Sequence, residues 1–372
     1  MKFCFYTGSV SPHQLPLARE LVKRLGADNY RYVTQSRVSD ARQKCGWHDE
    51  EEPWIVSDSE HSLEVCSMLE SCDVLMCAVR DFPLFAVRAQ RGLPTLYVSE
   101  RWFKPIRLRG FFNVSLPGWL RLLHPPYLKM ACQIRRLLRS DAPFYYLPCG
   151  IHAAEDMARI VGWRRPTFPI RNPLAQYEKF RLWGYFVAPS STLKKKENDR
   201  QGPLDVLWVG RMLDWKRVDT IVKAVGNLHK RNVDVKLTLV GDGPERIRLE
   251  RLAKDLPIAF LPSQPIDHIR ALMYEHDVYV LSSDAGEGWG AALSEALEEG
   301  MYAIGTHEAG ASATMLKEPD LFSAGDSCAL TRHLARCAEE KKRGALKGLG
   351  IGDWSVAKAA ERMMVLMDDV RV

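Results

Sequence analysis

The feature that most constrains the fold is a regular alternation of short apolar runs and amphipathic segments in the second half of the chain. The apolar runs are DVLWVG, VKLTLVG, IAFLP, VYVLSS and YAIGT, and helical patterns such as DTIVKAVGNLHKR, ERIRLERLAKDL and HIRALMYEH lie between them. Continuous apolar runs of this length indicate strands that are buried on both faces, which is typical of a parallel sheet covered by helices. The second half is therefore predicted to be a doubly wound α/β domain.

The first half of the chain begins with the same kind of unit. KFCFY is predicted as a buried strand, TGSVSP as a loop and HQLPLARELVKRLG as a helix, and further strands are predicted at YRYVT, DVLMCAV and TLYVS. LEVCSMLESC and LFAVRAQRG are predicted helices. A chain of 372 residues exceeds what one hydrophobic core usually organises. We therefore expect two Rossmann-like domains with a cleft between them.

A polar segment marks the expected boundary between the two domains. SSTLKKKENDRQGP combines a charge run with Ser, Gly and Pro and has no apolar periodicity, as an exposed linker does. The prediction places the N-terminal domain at 1–188, the linker at 189–203 and the C-terminal domain at 204–352. The last predicted helix lies at 353–372 and has no strand after it, so it is free to pack elsewhere.

Cations and glycines follow the first strands of the C-terminal half, at the sheet edge where doubly wound folds bind ligands. Gly210, Arg211 and Lys216 follow DVLWVG, and Gly241 follows VKLTLV. Arginine offers a planar fork and lysine a compact charge, and both suit a diphosphate. The alternative for both cations is ordinary surface charge.

The segment GEGWGAALSEALEEG, residues 286–300, carries two acids around a predicted helix start. Glu287 lies in the glycine loop, and Glu295 lies about a turn and a half into the helix. Glycines let backbone N–H groups approach a ligand at a helix N-terminus, and a carboxylate accepts both hydroxyls of a vicinal diol. The segment predicts an anion-binding loop flanked by two sugar-binding acids, although Glu295 alone is also compatible with a solvated helix position.

These motifs resemble those of the retaining glycosyltransferases of family 4, the glycosyl transferases group 1 family, whose fold is GT-B. The resemblance is carried by VGRMLDWKRVDTIVKAV, LVGDGPE, HDVYVLSSDAGEGWGAALSEALEEG and DWSVAKAAERM, and it covers about half of the chain. It implies transfer of a hexose-type sugar from a nucleotide diphosphate donor to a hydroxyl of a glycan or glycolipid acceptor, with retention of configuration. A UDP-sugar is the favoured donor and a GDP-sugar the next. The final helix is expected to cross back to the N-terminal domain.

The resemblance also implies roles for individual positions. Arg211 and Lys216 are expected to bind the donor diphosphate, Glu287 the donor sugar and Glu295 the nucleotide ribose. Donor contacts are further expected at five glycines and one tryptophan, namely Gly8, Gly210, Gly241, Gly288, Trp289 and Gly290. No Asp-x-Asp motif stands at a strand end, so the nucleotide-sugar is expected to act without a metal or another cofactor.

The N-terminal half matches the family less specifically. Glu100 follows the strand TLYVS, where many relatives have a His or an acid near the reacting carbon, so it joins Glu287, Arg211 and Lys216 as a catalytic candidate. A salt-bridged position at the strand end is an equally open interpretation of Glu100. His13 in the first loop is an acceptor candidate, against a helix-capping or solvent-facing role.

Residues 101–139 contain nine Lys or Arg and no acid, with interleaved aromatic residues that include Trp102, Phe103, Phe111, Phe112 and Trp119. A basic, aromatic and amphipathic segment suits an anionic membrane surface that presents a lipid-linked acceptor. Arg101, Arg107 and Arg109 are therefore candidates for acceptor or membrane contact, and we expect a cytoplasmic protein that is peripheral at the inner membrane face. The alternative is a solvated basic face over buried aromatic residues.

Two other functions stay open. A nucleotide-sugar epimerase or a glycan phosphorylase shares the GT-B architecture with the favoured enzyme. A non-catalytic protein would use the basic segment to bind nucleic acid or an anionic surface. A dinucleotide-dependent dehydrogenase is disfavoured, because VGDGPE lacks the third glycine of the dinucleotide fingerprint.

Overall fold

A computed structural model of the chain describes residues 1–43, 47–58, 63–108, 114–163, 170–189 and 202–370. The chain divides into two compact units. The N-terminal unit comprises Met1–Phe186 together with Val356–Val372, and the C-terminal unit comprises Val187–Ser355.

The described residues form strands and helices that alternate along most of the chain. The strands are β1 Phe3–Thr7, β2 Tyr30–Thr34, β3 Ile55–Ser57, β4 Val74–Cys77, β5 Thr95–Ser99, β6 Ile106–Leu108, β7 Val114–Leu116, β8 Phe144–Pro148, β9 Leu204–Val209, β10 Val235–Val240, β11 Ile258–Leu261, β12 Val278–Leu281, β13 Tyr302–Thr306 and β14 Leu321–Phe322. The helices are α1 Leu15–Leu25, α2 Asp40–Gln43, α3 Leu63–Ser71, α4 Phe82–Gln90, α5 Pro125–Arg139, α6 Ile151–Gly162, α7 Pro173–Gln176, α8 Val218–His229, α9 Arg246–Leu252, α10 Ile266–Glu275, α11 Ala291–Glu298, α12 Gly310–Met315, α13 Ser327–Lys342 and α14 Val356–Asp369.

The N-terminal unit is built on a six-stranded parallel sheet with the order β3-β2-β1-β4-β5-β8, and β6 and β7 form a separate antiparallel pair. Every residue of β1 is buried, as expected for a central strand covered on both faces. The last helix, α14, packs against α1 of this unit. The expected return of the final helix to the N-terminal unit is therefore confirmed.

The C-terminal unit repeats this strand order with β11-β10-β9-β12-β13-β14, again all parallel. Its core joins Val206 and Trp208 of β9 and Val278 and Val280 of β12 to apolar residues of α8 and α13. The strand order reverses between β9 and β12, and this reversal is the point at which doubly wound sheets bind ligands at their carboxyl ends.

The predicted α/β architecture is confirmed, and the differences lie in short or edge elements. The sequence pattern did not predict β3 or β8. Strand β3 has only three residues, and β8, with the sequence FYYLP, lies at the sheet edge and ends in proline. Proline is tolerated at sheet edges because the strand needs no further N–H donor there. The predicted linker falls mostly on residues 190–201, outside the described residues, so the domain limits at 188, 203 and 352 stay predictions.

Candidate functional site

Two glycines bring the ends of β9 and β10 together. The N–H of Gly210 donates to the carbonyl of Val240 at 3.0 Å, and a Cβ placed on Gly241 would lie only 2.0 Å from the carbonyl oxygen of Gly210. Gly241 also has a φ of 128°, which residues with a Cβ adopt with strain. The backbone of these two turns therefore leaves room only for glycine at position 241. Arg211 comes directly after Gly210, and its side chain is exposed.

A mostly buried ion pair joins the turn after β9 to the loop after β12. Lys216 ends the short 3-10 turn Asp214–Lys216, and its ammonium donates a hydrogen bond to Oε2 of Glu287. The hydroxyl of Ser283 donates to the same carboxylate oxygen at 2.9 Å. The Lys216 and Glu287 side chains are 19% and 13% exposed. The alternative interpretation of Lys216 as ordinary surface charge is therefore wrong, because its ammonium is held inside a polar cluster.

Two further hydrogen bonds fix the backbone around this pair. The hydroxyl of Ser282 donates to the carbonyl of Lys216 at 2.6 Å, and the N–H of Asp284 donates to the carbonyl of Trp215 at 2.8 Å. The loops that leave β9 and β12 are thus tied together at the point where the strand order reverses. Ser282 and Ser283 were missed by the sequence analysis, although their position directly after the apolar run of β12 is a signal of a strand-end site.

The loop that contains Gly286, Gly288 and Gly290 leads into α11, as predicted. Gly290 is the N-cap residue of α11 with a φ of 99°, and a Cβ on it would lie 2.9 Å from the Leu281 side chain. A Cβ on Gly310 would lie 2.2 Å from the carbonyl oxygen of Gly288. The Trp289 side chain is fully buried and donates from Nε1 to Ser294 Oγ at 3.1 Å. The indole is therefore part of the core, and only the backbone of this segment is positioned to meet a ligand.

Glu295 is buried in α11, with 6% of the residue exposed. Burial raises the pKa of its carboxyl to about 7, while the nearby Arg270 guanidinium lowers the pKa and Glu299 raises it. Arg270 itself is held by Glu299, with 2.5 Å between Nε and Oε1, and by the carbonyl of Ala188 at 2.8 Å. The alternative of a solvated helix position for Glu295 is wrong, because α11 packs against β12, β13 and two helices.

A second polar cluster lies at the carboxyl end of β5 in the N-terminal unit. Glu100 accepts a hydrogen bond from the Tyr185 hydroxyl at 3.0 Å and forms an ion pair with Lys104 at 2.5 Å. The ion pair that the sequence analysis left open is therefore present, and Tyr185 adds a second partner. Tyr185 lies in a segment without a helix or strand, so no helical or strand periodicity of the sequence predicted its position.

His13 belongs to the same cluster. Its ring stacks on Tyr185 with centroids 6.2 Å apart and meets the edge of Trp47 at 5.7 Å. Burial lowers the pKa of His13 to about 4, so the ring is neutral at physiological pH. The alternative of a helix-capping role is wrong, because Gln14 is the N-cap residue of α1 and no side chain caps this helix.

The other candidates of the N-terminal unit lie in different surroundings. Gly8 is exposed after β1, and no atom lies within 4 Å of a Cβ placed on it. Arg101 points inward, with Nε 3.5 Å from the buried Asp156, so its expected role as a surface contact does not fit the structure. Arg107 is half-buried in β6, and Arg109 lies outside the described residues.

The aromatic residues of the basic segment that the structure describes do not form an exposed face. Trp102 and Phe103 are buried, and Trp119 packs against the core of the N-terminal unit. Phe111 and Phe112 lie outside the described residues. The exposed apolar groups of this region are instead Leu108, Leu123 and Leu128. The prediction that Trp102 and Phe103 supply an aromatic contact surface is therefore wrong, because both contribute to the core.

The described residues contain neither a metal-binding cluster nor a membrane-spanning helix. No group of three His, Cys, Asp or Glu residues with the arrangement of a metal site occurs in the part of the chain that the structure describes. None of the helices described has the length and apolar character needed to cross a membrane.

Two Rossmann-like units with this strand order place the chain in the GT-B class. The crystal structure of Anabaena HepE in complex with UDP and glucose matches it with a TM-score of 0.61 at 14% sequence identity, over 99% of this chain and 100% of that chain. Identity this low shows the fold alone. Residues 190–345 match the family described as glycosyl transferases group 1. This match spans most of the C-terminal unit.

Two relatives share sequence with parts of the chain. N-acetyl-alpha-D-glucosaminyl L-malate synthase of Bacillus anthracis is 31% identical over 147 residues, which are 38% of this chain and 36% of that protein. A GDP-mannose-dependent alpha-(1-6)-phosphatidylinositol monomannoside mannosyltransferase of Mycolicibacterium smegmatis is 27% identical over 184 residues, covering 45% of this chain and 48% of that protein. The chain thus matches less than half the length of each of these relatives.

Proposed function

We propose that the protein transfers a hexose-type sugar from a nucleoside diphosphate donor to a hydroxyl of a glycan or lipid-linked acceptor. A UDP-sugar is the first candidate for the donor and a GDP-sugar the second. The observation that carries the proposal is the cluster of Lys216, Glu287 and Ser283 where the sheet order reverses, within a unit of the glycosyl transferases group 1 family.

The diphosphate of the donor is assigned to Lys216, Arg211 and the start of α11. Charge develops on the diphosphate as the sugar leaves, and fixed cations and a helix N-terminus stabilise such charge without reorganisation. Lys216 must then exchange part of its contact with Glu287 for phosphate oxygens. Because these two cations supply positive charge at the leaving group, we further propose that transfer needs no metal or other cofactor.

The two acids are assigned to the hydroxyl groups of the donor. Glu287 is held by Lys216 and Ser283, so its carboxylate is oriented to accept hydroxyls of the sugar. Glu295 is assigned to the ribose diol, for which it must be ionised, since only the carboxylate accepts two hydrogen bonds without donating one. Retention of configuration is proposed from the family resemblance.

The acceptor is assigned to the cluster of Glu100, Tyr185 and His13. Aromatic rings offer amphipathic surfaces that pack against the apolar faces of sugars, and a carboxylate beside them accepts hydroxyl hydrogen bonds. Lys104 forms an ion pair with Glu100 at the edge of this cluster. His13 is neutral here, so it is proposed as a packing and hydrogen-bonding contact.

We propose that a lipid-linked acceptor is reached at an anionic membrane surface on the cytoplasmic side. The support is the presence of exposed apolar and basic residues on α5 and its preceding turn: Leu123, Leu128, Lys129, Arg136 and Arg139. Each basic group near such a surface contributes about 1 kcal/mol. Replacing Arg136 and Arg139 by Ala is expected to weaken binding to phosphatidylserine vesicles, and unchanged binding would contradict this part of the proposal.

The experiment that tests the function is a donor screen. The purified protein is incubated with UDP-glucose, UDP-N-acetylglucosamine and GDP-mannose, and release of nucleoside diphosphate is followed. We expect release from one donor class and a fall of about 100-fold to 1,000-fold in Lys216→Ala, since that is the usual cost of one donor to a developing anion. EDTA is expected to leave the rate unchanged.

Lys223→Ala is the matched control, because Lys223 is a half-exposed lysine of the same unit that pairs with Asp219. Its release rate is expected to equal that of the wild type. Interconversion of the donor sugar without diphosphate release would favour the epimerase. Salt-sensitive binding of nucleic acid with no donor binding would favour the non-catalytic function, and either result would overturn the proposal.

A further inference from the structure

A buried tyrosine, Tyr279, lies on β12, the strand that precedes the loop of Glu287. Tyr279 is the second residue of β12 and is fully buried. Its neighbours Val278 and Val280 point into the core formed with α8 and α13, so Tyr279 points to the opposite face of the sheet. Leu281 shares that face, and its side chain lies beside Gly290 at the start of α11. Tyr279 therefore faces the layer that carries Glu295.

The hydroxyl of Tyr279 has no hydrogen-bond partner in the part of the chain that the structure describes. Burying an unpaired hydroxyl costs about 1 to 3 kcal/mol, and phenylalanine would fill nearly the same volume without that cost. Burial raises the pKa of Tyr279 well above its ordinary value, and the negative charges of Glu295 and Glu287 raise it further. The hydroxyl thus stays protonated as a donor, close enough to both carboxylates to respond to their charge.

We propose that the Tyr279 hydroxyl positions Glu295 by donating a hydrogen bond to its carboxylate when Glu295 accepts the ribose hydroxyls of the donor. This inference rests on the proposed function, because it takes Glu295 as the ribose contact. Tyr279 is fully buried, so in this proposal it acts through Glu295. It is a positioning residue and not a catalytic one.

The charged groups around Glu295 show why such a donor matters. Among the described residues packed against α11, α10 carries Arg270, whose guanidinium is already held by Glu299 and by a backbone carbonyl, and also the titratable residues Asp267, His268, Tyr274 and Glu275. The titratable group of β13 is Tyr302, which donates to Asp320, and α12 has none. The carboxylate of Glu287 is paired with Lys216. The Tyr279 hydroxyl of β12 is a neutral donor that can hold Glu295 in its ionised form without competing for an existing ion pair.

The consequence is a defined pH dependence. A donor that favours the ionised form of Glu295 lowers the pKa of this carboxyl, whereas burial has raised it to about 7. Tyr279→Phe removes the donor, so ribose binding is expected to require a higher pH than in the wild type. At pH 7 the affinity for the nucleotide is expected to fall about tenfold, while kcat at saturating donor changes less than about twofold, because the hydroxyl touches no reacting atom.

The test compares UDP with 2′-deoxy-UDP, and GDP with 2′-deoxy-GDP, by calorimetric titration between pH 6 and pH 8.5. In Tyr279→Phe we expect weaker binding of the ribonucleotide, a binding profile displaced to higher pH, and no loss for the deoxynucleotide, which lacks the diol. Tyr97→Phe is the matched control. Tyr97 is a fully buried tyrosine of β5 in the N-terminal unit whose hydroxyl also has no hydrogen-bond partner among the described residues.

Urea unfolding separates this role from packing. Tyr279→Phe is expected to be at least as stable as the wild type, because the substitution removes an unpaired buried hydroxyl. Equal losses for ribo- and deoxynucleotide, or no loss for either, would overturn the inference and leave the proposed function standing. Absence of UDP and GDP binding by the wild type would overturn both.

Discussion

The carboxyl ends of the two sheets share one topology and differ in chemistry. In the C-terminal unit, an ion pair between Lys216 and Glu287 lies among serines on loops packed closely by glycine. In the N-terminal unit, Glu100 lies among rings, bonded to Tyr185 and paired with Lys104. The first environment suits an anion with vicinal hydroxyls and the second a neutral polyhydroxylated surface. The difference teaches that one strand order can carry two chemically different sites, according to the side chains at its strand ends.

Gly241 after β10 and Gly8 after β1 differ in how closely other atoms pack around them, and a matched pair of substitutions tests this difference with the largest expected effect. Gly241→Ala places a Cβ against the backbone of Gly210 and strains a φ of 128°. We expect the free energy of unfolding to fall by about 3 kcal/mol. Gly8→Ala meets no atom within 4 Å and is expected to change the free energy by less than about 0.5 kcal/mol. Urea unfolding measures both, and equal effects would show that the turns of the C-terminal unit are not specially close-packed.

Glu295, the buried acid of α11, is expected to lower the stability of the folded chain and to strengthen nucleotide binding. The carboxyl of Glu295 has a pKa of about 7 in the folded chain against about 4.5 in the unfolded chain, so the unfolded state ionises first as pH rises. Stability is therefore lost between about pH 4.5 and pH 7. Glu295→Gln is expected to raise the free energy of unfolding by about 2 kcal/mol at pH 8 and to leave it unchanged at pH 4. Nucleotide affinity is expected to fall more than tenfold. A variant with no pH-dependent gain in stability would contradict the burial argument.

The acceptor cluster of the N-terminal unit is expected to show the smallest effect of the three. Tyr185→Phe removes the hydroxyl that donates to Glu100 and keeps the ring that stacks on His13. Transfer to the acceptor is expected to slow about tenfold with unchanged donor affinity. Tyr177→Phe is the control, because it also loses one hydroxyl hydrogen bond in this unit, to the carbonyl of Ala158. A loss of donor affinity in Tyr185→Phe would contradict the division of roles between the two units.

The sequence predicted the fold, and the position of Lys216 and Glu287 in strand-end loops, because these signals are local. Apolar runs of strand length indicated the sheets, and Lys216 and Glu287 each lie in the loop that follows such a run. The acceptor cluster was only partly predictable. Tyr185 reaches Glu100 from a segment with no periodicity, across 85 positions of the chain. The burial of Glu295 was not predicted, and that of Trp102 and Phe103 was only one of two open interpretations, since the side of an element that is covered depends on neighbours distant in sequence.

The central claim is that the ion pair of Lys216 and Glu287 marks the diphosphate site. The most direct measurement is the affinity for UDP and GDP of the wild type, of Glu287→Gln and of the control Glu250→Gln, which alters a surface ion pair with Arg246 in the same unit. Because Glu287 competes with the diphosphate for Lys216, we predict that Glu287→Gln binds the nucleotide about tenfold more tightly, which is about 1.4 kcal/mol, while it releases diphosphate from the donor sugar more slowly. Affinity that is unchanged or weaker in Glu287→Gln would contradict the assignment.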